Sequence, residues 1–435
     1  MARFVATAAA LAGVLLVTAP GALGATATVG GDEVLHYAAA PGEVNDVRVR
    51  AAGEDIYEAV RVSDAGAAIT PGPGCTAEDA HTVVCGPYVV GSTVDLGDGA
   101  DHLDYGEYPE GPYGGALVHG GPGDDDVRND GWSSMQFFGE DGDDRYLDSS
   151  EGGYFADGGP GDDDLEAGYY NATTLIGGPG DDRLTHAMYG DNFEHDALPA
   201  DLDGGEGNDV LCGADGGETF RGGPGRDTVT FCRATAGVTA SVGDGRNDGY
   251  NGDADVLADV EHLVGTPYDD VLRGGAGDDE IDGLGGADDL GGLGANDTLD
   301  GGLGPDVLAG GPGVDQASYA TRTADVSVTI GGGAPDGAAG EGDDVRADVE
   351  NVAGGSGDDV LTGNLRANTL LGGAGADTLT GGTGRDVLSG GTGADLLRMR
   401  DGYADRGSCG PGADQVEPDD LDAVGAGCET TVPAV

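Results

Sequence analysis

The sequence predicts an all-β protein wound as a parallel solenoid, and three observations predict it. Residues 265–318 divide without a gap into six nine-residue units, GTPYDDVLR, GGAGDDEID, GLGGADDLG, GLGANDTLD, GGLGPDVLA and GGPGVDQAS. Five more, GGSGDDVLT, GNLRANTLL, GGAGADTLT, GGTGRDVLS and GGTGADLLR, occupy 354–398. Upstream the unit returns at a longer interval, beginning at 120, 139, 158 and 177 and, after an insertion, at 204 and 222. Recurrence at fixed spacing is how stacked coils are written in a sequence. Position one of each unit in 265–318 is Gly, position six is Asp and position eight is apolar. The last three residues thus read as a short strand with its middle side chain pointing inward, and two units make one coil.

The unit also carries a chemistry. Its glycines permit φ > 0 and let backbone carbonyls crowd into one space, and the Asp closes the turn with a carboxylate. Calcium takes about six to eight such oxygens. Because a coil consumes two units, alternate aspartates fall on one edge. Asp270, Asp288 and Asp306 should face Asp279, Asp297 and Asp315 across the coil, and Asp359, Asp377 and Asp395 should face Asn368 and Asp386. In the nineteen-residue coils only one edge has the turn, which stacks Asp125, Asp144, Asp163, Asp182, Asp209 and Asp227. These aspartates are the candidate calcium ligands. Asn368 is neutral and Arg366 replaces a turn glycine, so that site should be the weakest of its row.

The tandem G-G-x-G-x-D-x-U-x units resemble those of RTX (haemolysin-type) calcium-binding proteins, over residues 92–398 when the longer coils are included. The resemblance implies a right-handed parallel β-roll, calcium in the GGxGxD turns, and secretion. Two features depart from it. RTX toxins and proteases usually leave through a C-terminal signal, whereas an N-terminal one is read here, and no companion catalytic or pore-forming domain is recognisable. The N-terminal signal, the β segment after it and the all-Arg basic content resemble secreted actinobacterial RTX-repeat proteins.

Taken in order, residues 1–24 place Arg3 before the apolar run FVATAAALAGVLLVT, with Pro20 and small residues after it. This is the pattern of a signal peptide, and the run is short for a membrane span. Cleavage after Gly24 or after Ala27 fits. Residues 25–91 alternate apolar and polar in VLHYA, DVRVRA and YEAVRV, which reads as short strands in a cap over the first coil. Residues 92–230 form the longer coils, with LGDGADHLD as their beginning; inward pairs are Val118, Phe137, Ala156, Leu175, Leu202 and Phe220 with Val127, Tyr146, Leu165, Leu184, Leu211 and Val229. Residues 231–264 and 319–353 are joints. Both belong to a longer repeat containing an alternating strand, a Gly-rich acidic loop and A-D-V-E. Residues 265–318 and 354–398 are β-roll, and 399–435 form a C-terminal cap.

Six cysteines in an exported chain point to three disulfides, for which sequence alone allows about fifteen pairings. The nearest-neighbour set is Cys75 with Cys85, Cys212 with Cys232, and Cys409 with Cys428, each contributing roughly 2–3 kcal/mol. A net charge of −62, with 19 basic residues that are all Arg, destabilises a compact chain unless cations neutralise it. It also argues against nucleic acid and anionic membrane as partners.

Other chemistry is thinly represented. No H-E-x-x-H or G-x-S-x-G occurs, and no catalytic residue is assigned. The tract from Asp244 resembles an EF-hand loop but has Arg246 at a ligand position; Asp248, Asp253 and Asp255 are extra calcium candidates. The insertion 185–201 gathers His186, Asp191, Glu194, His195 and Asp196, the side-chain types that bind transition metals. Trp132, Tyr154, Tyr169 and Tyr170 mark the calcium-free edge as the place to look for a ligand. The expectation is a secreted calcium-binding module with a structural or adhesive role toward a cell-surface glycan or cell envelope. The alternative is a polysaccharide-binding or polysaccharide-modifying solenoid enzyme.

Overall fold

The computed structural model describes residues 24–431 except 53–58, 107–114, 131–133, 150–153, 169–172, 187–198, 214–216, 244–254, 334 and 426. The signal segment 1–23, and the side chains of Trp132, Tyr154, Tyr169 and Tyr170, lie outside the described residues.

The chain winds into a two-faced β-roll. The first face is one ladder along the whole length. It begins with antiparallel strands Cys75–Ala77, Thr82–Cys85, Val60–Asp64 and Asp46–Ala51. From there it runs in parallel through His102–Tyr105, Asp126–Asn129 and Arg145–Asp148 to Arg406–Ser408 and Ala423–Val424. The second face is three sheets laid end to end: one from Ile69–Pro71 and Ala25–Val29 to Val256–Ala258, one from Thr239–Ser241 to Asp344–Val345, and one from Val326–Thr329 to Thr430–Thr431. Val34–Ala38 and Asp46–Ala51 pair with Gly91–Asp95 and His102–Tyr105, so the antiparallel segment covers the first coil on both faces.

Position eight points inward, as its period dictates. Val127, Tyr146, Leu165, Leu184, Leu211 and Val229 stack in register on the first face and Val118, Phe137, Ala156, Leu175, Leu202 and Phe220 on the second, all fully buried. Phe137 and Tyr146 stack across the core at 5.1 Å. Each inward side chain contributes about 1.5–3 kcal/mol, but a coil has only two such rows. The interior is one thin apolar seam.

At 231–264 and 319–353 the chain does something the sequence did not reveal. After Thr228–Thr230 it lays Thr239–Ser241 one rung ahead, beside Val271–Arg273. The skipped rung is filled afterwards by Val256–Ala258, which pairs with Thr219–Arg221 and touches the forward strand through the Val242–Leu257 bridge. The second copy repeats this move: Val326–Thr329 pairs with Val360–Thr362, and Asp344–Val345 returns to pair with Val307–Ala309. These segments are therefore rungs of the roll. So is the C-terminal stretch, where Arg406–Ser408 and Gln415–Glu417 extend both faces. The bridges Cys75–Cys85, Cys212–Cys232 and Cys409–Cys428 all form.

Coil spacing leaves no room at many of the turn glycines. A Cβ on Gly161, where φ is +149°, would lie 1.9 Å from the Gly142 carbonyl oxygen, whereas Gly277 has nothing within 4 Å. Gly161→Ala should lower stability by about 3 kcal/mol or more, and Gly277→Ala should change it by less than about 0.5 kcal/mol. Thermal melts of both variants in calcium check this, and equal melting temperatures would contradict the packing described.

Candidate metal centre

Turns entering the first face form a front edge, and turns entering the second face form a back edge. Within each edge a single hydrogen-bond pattern repeats. In the turn 158–163, Asp163 Oδ1 accepts the Asp144 N–H of the preceding coil at 2.7 Å, and the Asp163 N–H donates to Asp182 Oδ1 at 2.8 Å. The same link joins Asp101, Asp125, Asp144, Asp163, Asp182, Asp209 and Asp227 down the front edge. Further along, Asp279, Asp297 and Asp315 form one front column and Asp270, Asp288 and Asp306 a back column. Asp359, Asp377 and Asp395 align on the back edge, and Asn368 and Asp386 on the front.

The backbone link uses one carboxylate oxygen and leaves the other. Oδ2 of Asp125, Asp144, Asp163, Asp182, Asp209, Asp227, Asp288, Asp297, Asp306, Asp315, Asp377, Asp386 and Asp395 is buried without a hydrogen-bond partner. A buried acceptor left alone costs about 1–3 kcal/mol, and here the cost recurs coil after coil. The space beside it is held open by the first glycine of the unit. A Cβ on Gly139 would meet Asp144 Oδ2 at 2.1 Å and the Gly158 carbonyl oxygen at 2.3 Å. Carboxylate and carbonyl oxygens thus converge in a cradle without nitrogen or sulfur ligands. That is the donor set of a hard divalent cation, and it fits calcium.

Three predicted ligands differ. Asp270, Asp279 and Asp359 sit in their columns, but their Oδ2 atoms accept N–H groups from Thr266, Gly275 and Gly355 at 2.6, 2.6 and 2.8 Å. Asn368 likewise accepts the Asn364 N–H at 2.8 Å. Conversely, the candidate list passes over Asp101, Asp405 and Asp414, whose Oδ2 atoms are buried and unpartnered. Their signal was present but degraded: Leu96 stands at position one of LGDGAD, Cys409 at position one of CGPGAD, and RDGYAD keeps only one glycine.

The remaining candidates scatter. Asp255 Oδ1 accepts the Glu218 N–H at 2.6 Å on the back edge; Asp248 and Asp253 lie outside the described residues. His186 is buried with Nδ1 3.0 Å from Glu218 Oε1, and burial pushes its pKa down to about 4. Its sequence companions Asp191, Glu194, His195 and Asp196 are outside the described residues.

Burial, reinforced by neighbouring carboxylates against the opposing pull of the backbone N–H, raises the column pKa values. Asp125 is pushed up to about 8, Asp144, Asp163, Asp182 and Asp288 to about 7, and Asp227, Asp297, Asp306, Asp377 and Asp386 to about 6. A carboxyl whose folded pKa is raised stabilises the metal-free fold below its unfolded pKa, and that stabilisation is lost as pH rises through the folded value. With calcium chelated, the β signal should therefore be strongest near pH 4 and fall between about pH 6 and 8. Circular dichroism across that range, on chain stripped of calcium at neutral pH and dialysed into calcium-free buffers, checks it, and a metal-free signal that rises with pH would contradict it.

The family model of the RTX calcium-binding nonapeptide repeat (4 copies) matches residues 201–229, 258–290, 291–317, 347–365 and 362–397. No curated protein matches the chain. The coils upstream of 201 share the turn geometry although they lie outside the matched residues. Residues 201–397 thus carry RTX calcium-binding nonapeptide repeats, and these repeats wind into a β-roll.

Proposed function

We propose that this protein is exported and folds on multiple calcium ions, serving outside the cell as a structural or adhesive module of the cell envelope or a glycan-bearing surface. The observation that carries it is the column of buried, half-satisfied aspartates, because once ionised such a column is stable only when a cation supplies what the protein withholds. Binding energy then becomes folding energy. Extracellular sites of this kind work at roughly 0.1–1 mM calcium, a level found outside cells. Export is further supported by the cysteines: all six pair and none is free, which fits an oxidising compartment. Among the described residues no helix is long and apolar enough to cross a membrane.

A glycan-binding face is a second reading with an observation of its own. On the outside of the second face His119, Phe138 and Phe155 form a half-buried row, with ring centroids 5.3 Å apart at each step. A row of rings on a flat sheet suits the apolar faces of sugars.

Stripping the chain with EGTA at neutral pH should abolish most β signal, and about 1 mM calcium should restore it; a spectrum unchanged by either step would defeat the calcium-folding reading. In polysaccharide-containing native gels with calcium, retardation that disappears in Phe138→Ala would support the glycan face. Equal migration with and without polysaccharide would remove it.

A further inference from the structure

The turns fall into two conformations, and the division is systematic. In turns with an orphaned Oδ2, the one ending in Asp405 excepted, residue two adopts positive φ: Gly159 at 103°, Gly178 at 124°, Gly373 at 105°, and even Glu140 at 76°, Leu284 at 68° and Leu293 at 76°. In several of them the residue-two N–H donates along the column to the residue-one carbonyl of the next coil, as from Gly121 to Gly139, Gly159 to Gly177 and Leu293 to Gly310, each at 3.0 Å. The carboxylate is left alone. Thr266, Gly275, Gly355 and Asn364 are residue two of the four exceptional turns, and none has positive φ. Their N–H groups turn inward to the Asp270, Asp279, Asp359 and Asn368 side chains instead.

From Asp125 onward the rung beneath separates the two kinds; Asp101, at the start of the column, follows the turn that ends in Asn45. Asp270 and Asp359 receive the N–H of Val238 and Val326, which belong to the forward-laid strands. Asp279 and Asn368 follow the A-D-V-E turns ending in Glu261 and Glu350. None of the four has a GGxG loop below it, so the lower carbonyls of the cradle are missing. At the second joint the protein adds its own partners. Arg366 Nη1 donates to Glu350 Oε1 at 2.7 Å, and the Tyr319 hydroxyl donates to Asp343 Oδ2 at 3.0 Å.

Resting on the calcium reading above, we infer that the turns ending in Asp270, Asp279, Asp359 and Asn368 hold no ion, so that calcium loads in three separate segments. The first is the front column Asp125 to Asp227. The second comprises Asp297 and Asp315 with Asp288 and Asp306. The third comprises Asp386 and Asp405 with Asp377, Asp395 and Asp414. The four closed turns are built to fold without metal and to start each new segment.

Native mass spectrometry of the full disulfide-bonded chain in saturating calcium counts the ions. Asp297→Asn and Asp377→Asn should each lose at least one ion, while Asp279→Asn and Asp359→Asn keep the wild-type number. Asn368→Asp, which adds a carboxylate without removing any contact of the other columns, should gain none. Loss of ions in Asp279→Asn or Asp359→Asn, an ion gained by Asn368→Asp, or unchanged counts in Asp297→Asn and Asp377→Asn would each overturn the segment assignment. A wild-type chain that binds no calcium would instead overturn the reading beneath it.

Discussion

Everything in this roll depends on a carboxylate oxygen that the protein buries and does not satisfy. One oxygen of each column aspartate ties its coil to the one before, at 2.7–2.8 Å in the nineteen-residue coils. The other faces a space kept open by glycine. Repeated along an edge, this places like charges in a row in a medium poorer than water at screening them. The fold tolerates that arrangement when the row is neutralised by protons or by divalent cations. With a net charge of −62, the chain has no internal reserve of positive charge to do it.

The thin core makes the dependence sharper. Two inward side chains per coil give a continuous seam from Tyr37 to Val416 but no thick interior, so edge energetics weigh as much as burial. Where the columns stop, covalent and polar ties take over. Cys75–Cys85 closes the antiparallel start, Cys212–Cys232 joins the two coils before the first joint, and Cys409–Cys428 secures the last coils. Tyr37 donates to Asp64 at 2.7 Å and Tyr319 to Asp343 at 3.0 Å, so rungs outside the runs have hydroxyls where cradles would be.

The periodic part of this architecture was legible in the sequence because one residue slot has one structural meaning. Glycine at position one, aspartate at six and an apolar residue at eight fix the edges, the columns and the inward seam without reference to anything distant. What was not legible depends on neighbours in space. Nothing in GTPYDD or GGAGDD distinguishes their turns from GGPGDD; the difference lies in the rung below each, supplied by residues about twenty to thirty positions earlier. The forward-laid strands were equally hidden, since alternation in VTASV and VSVTI announces a strand but not which rung it occupies. Asp101, Asp405 and Asp414 were harder to recognise because position one is no longer glycine, although their Oδ2 atoms are buried without a hydrogen-bond partner all the same.

The two joints have a consequence for how the roll is assembled. A simple solenoid can be wound coil upon coil from one end, each new strand finding its neighbour already in place. Here Thr239–Ser241 and Val326–Thr329 arrive before the strands that lie beneath them on the second face, Val256–Ala258 and Asp344–Val345. Winding from the N-terminus therefore halts at each joint until the chain has doubled back. The joints thus mark off three sections, and among the described residues the first face runs unbroken through all of them.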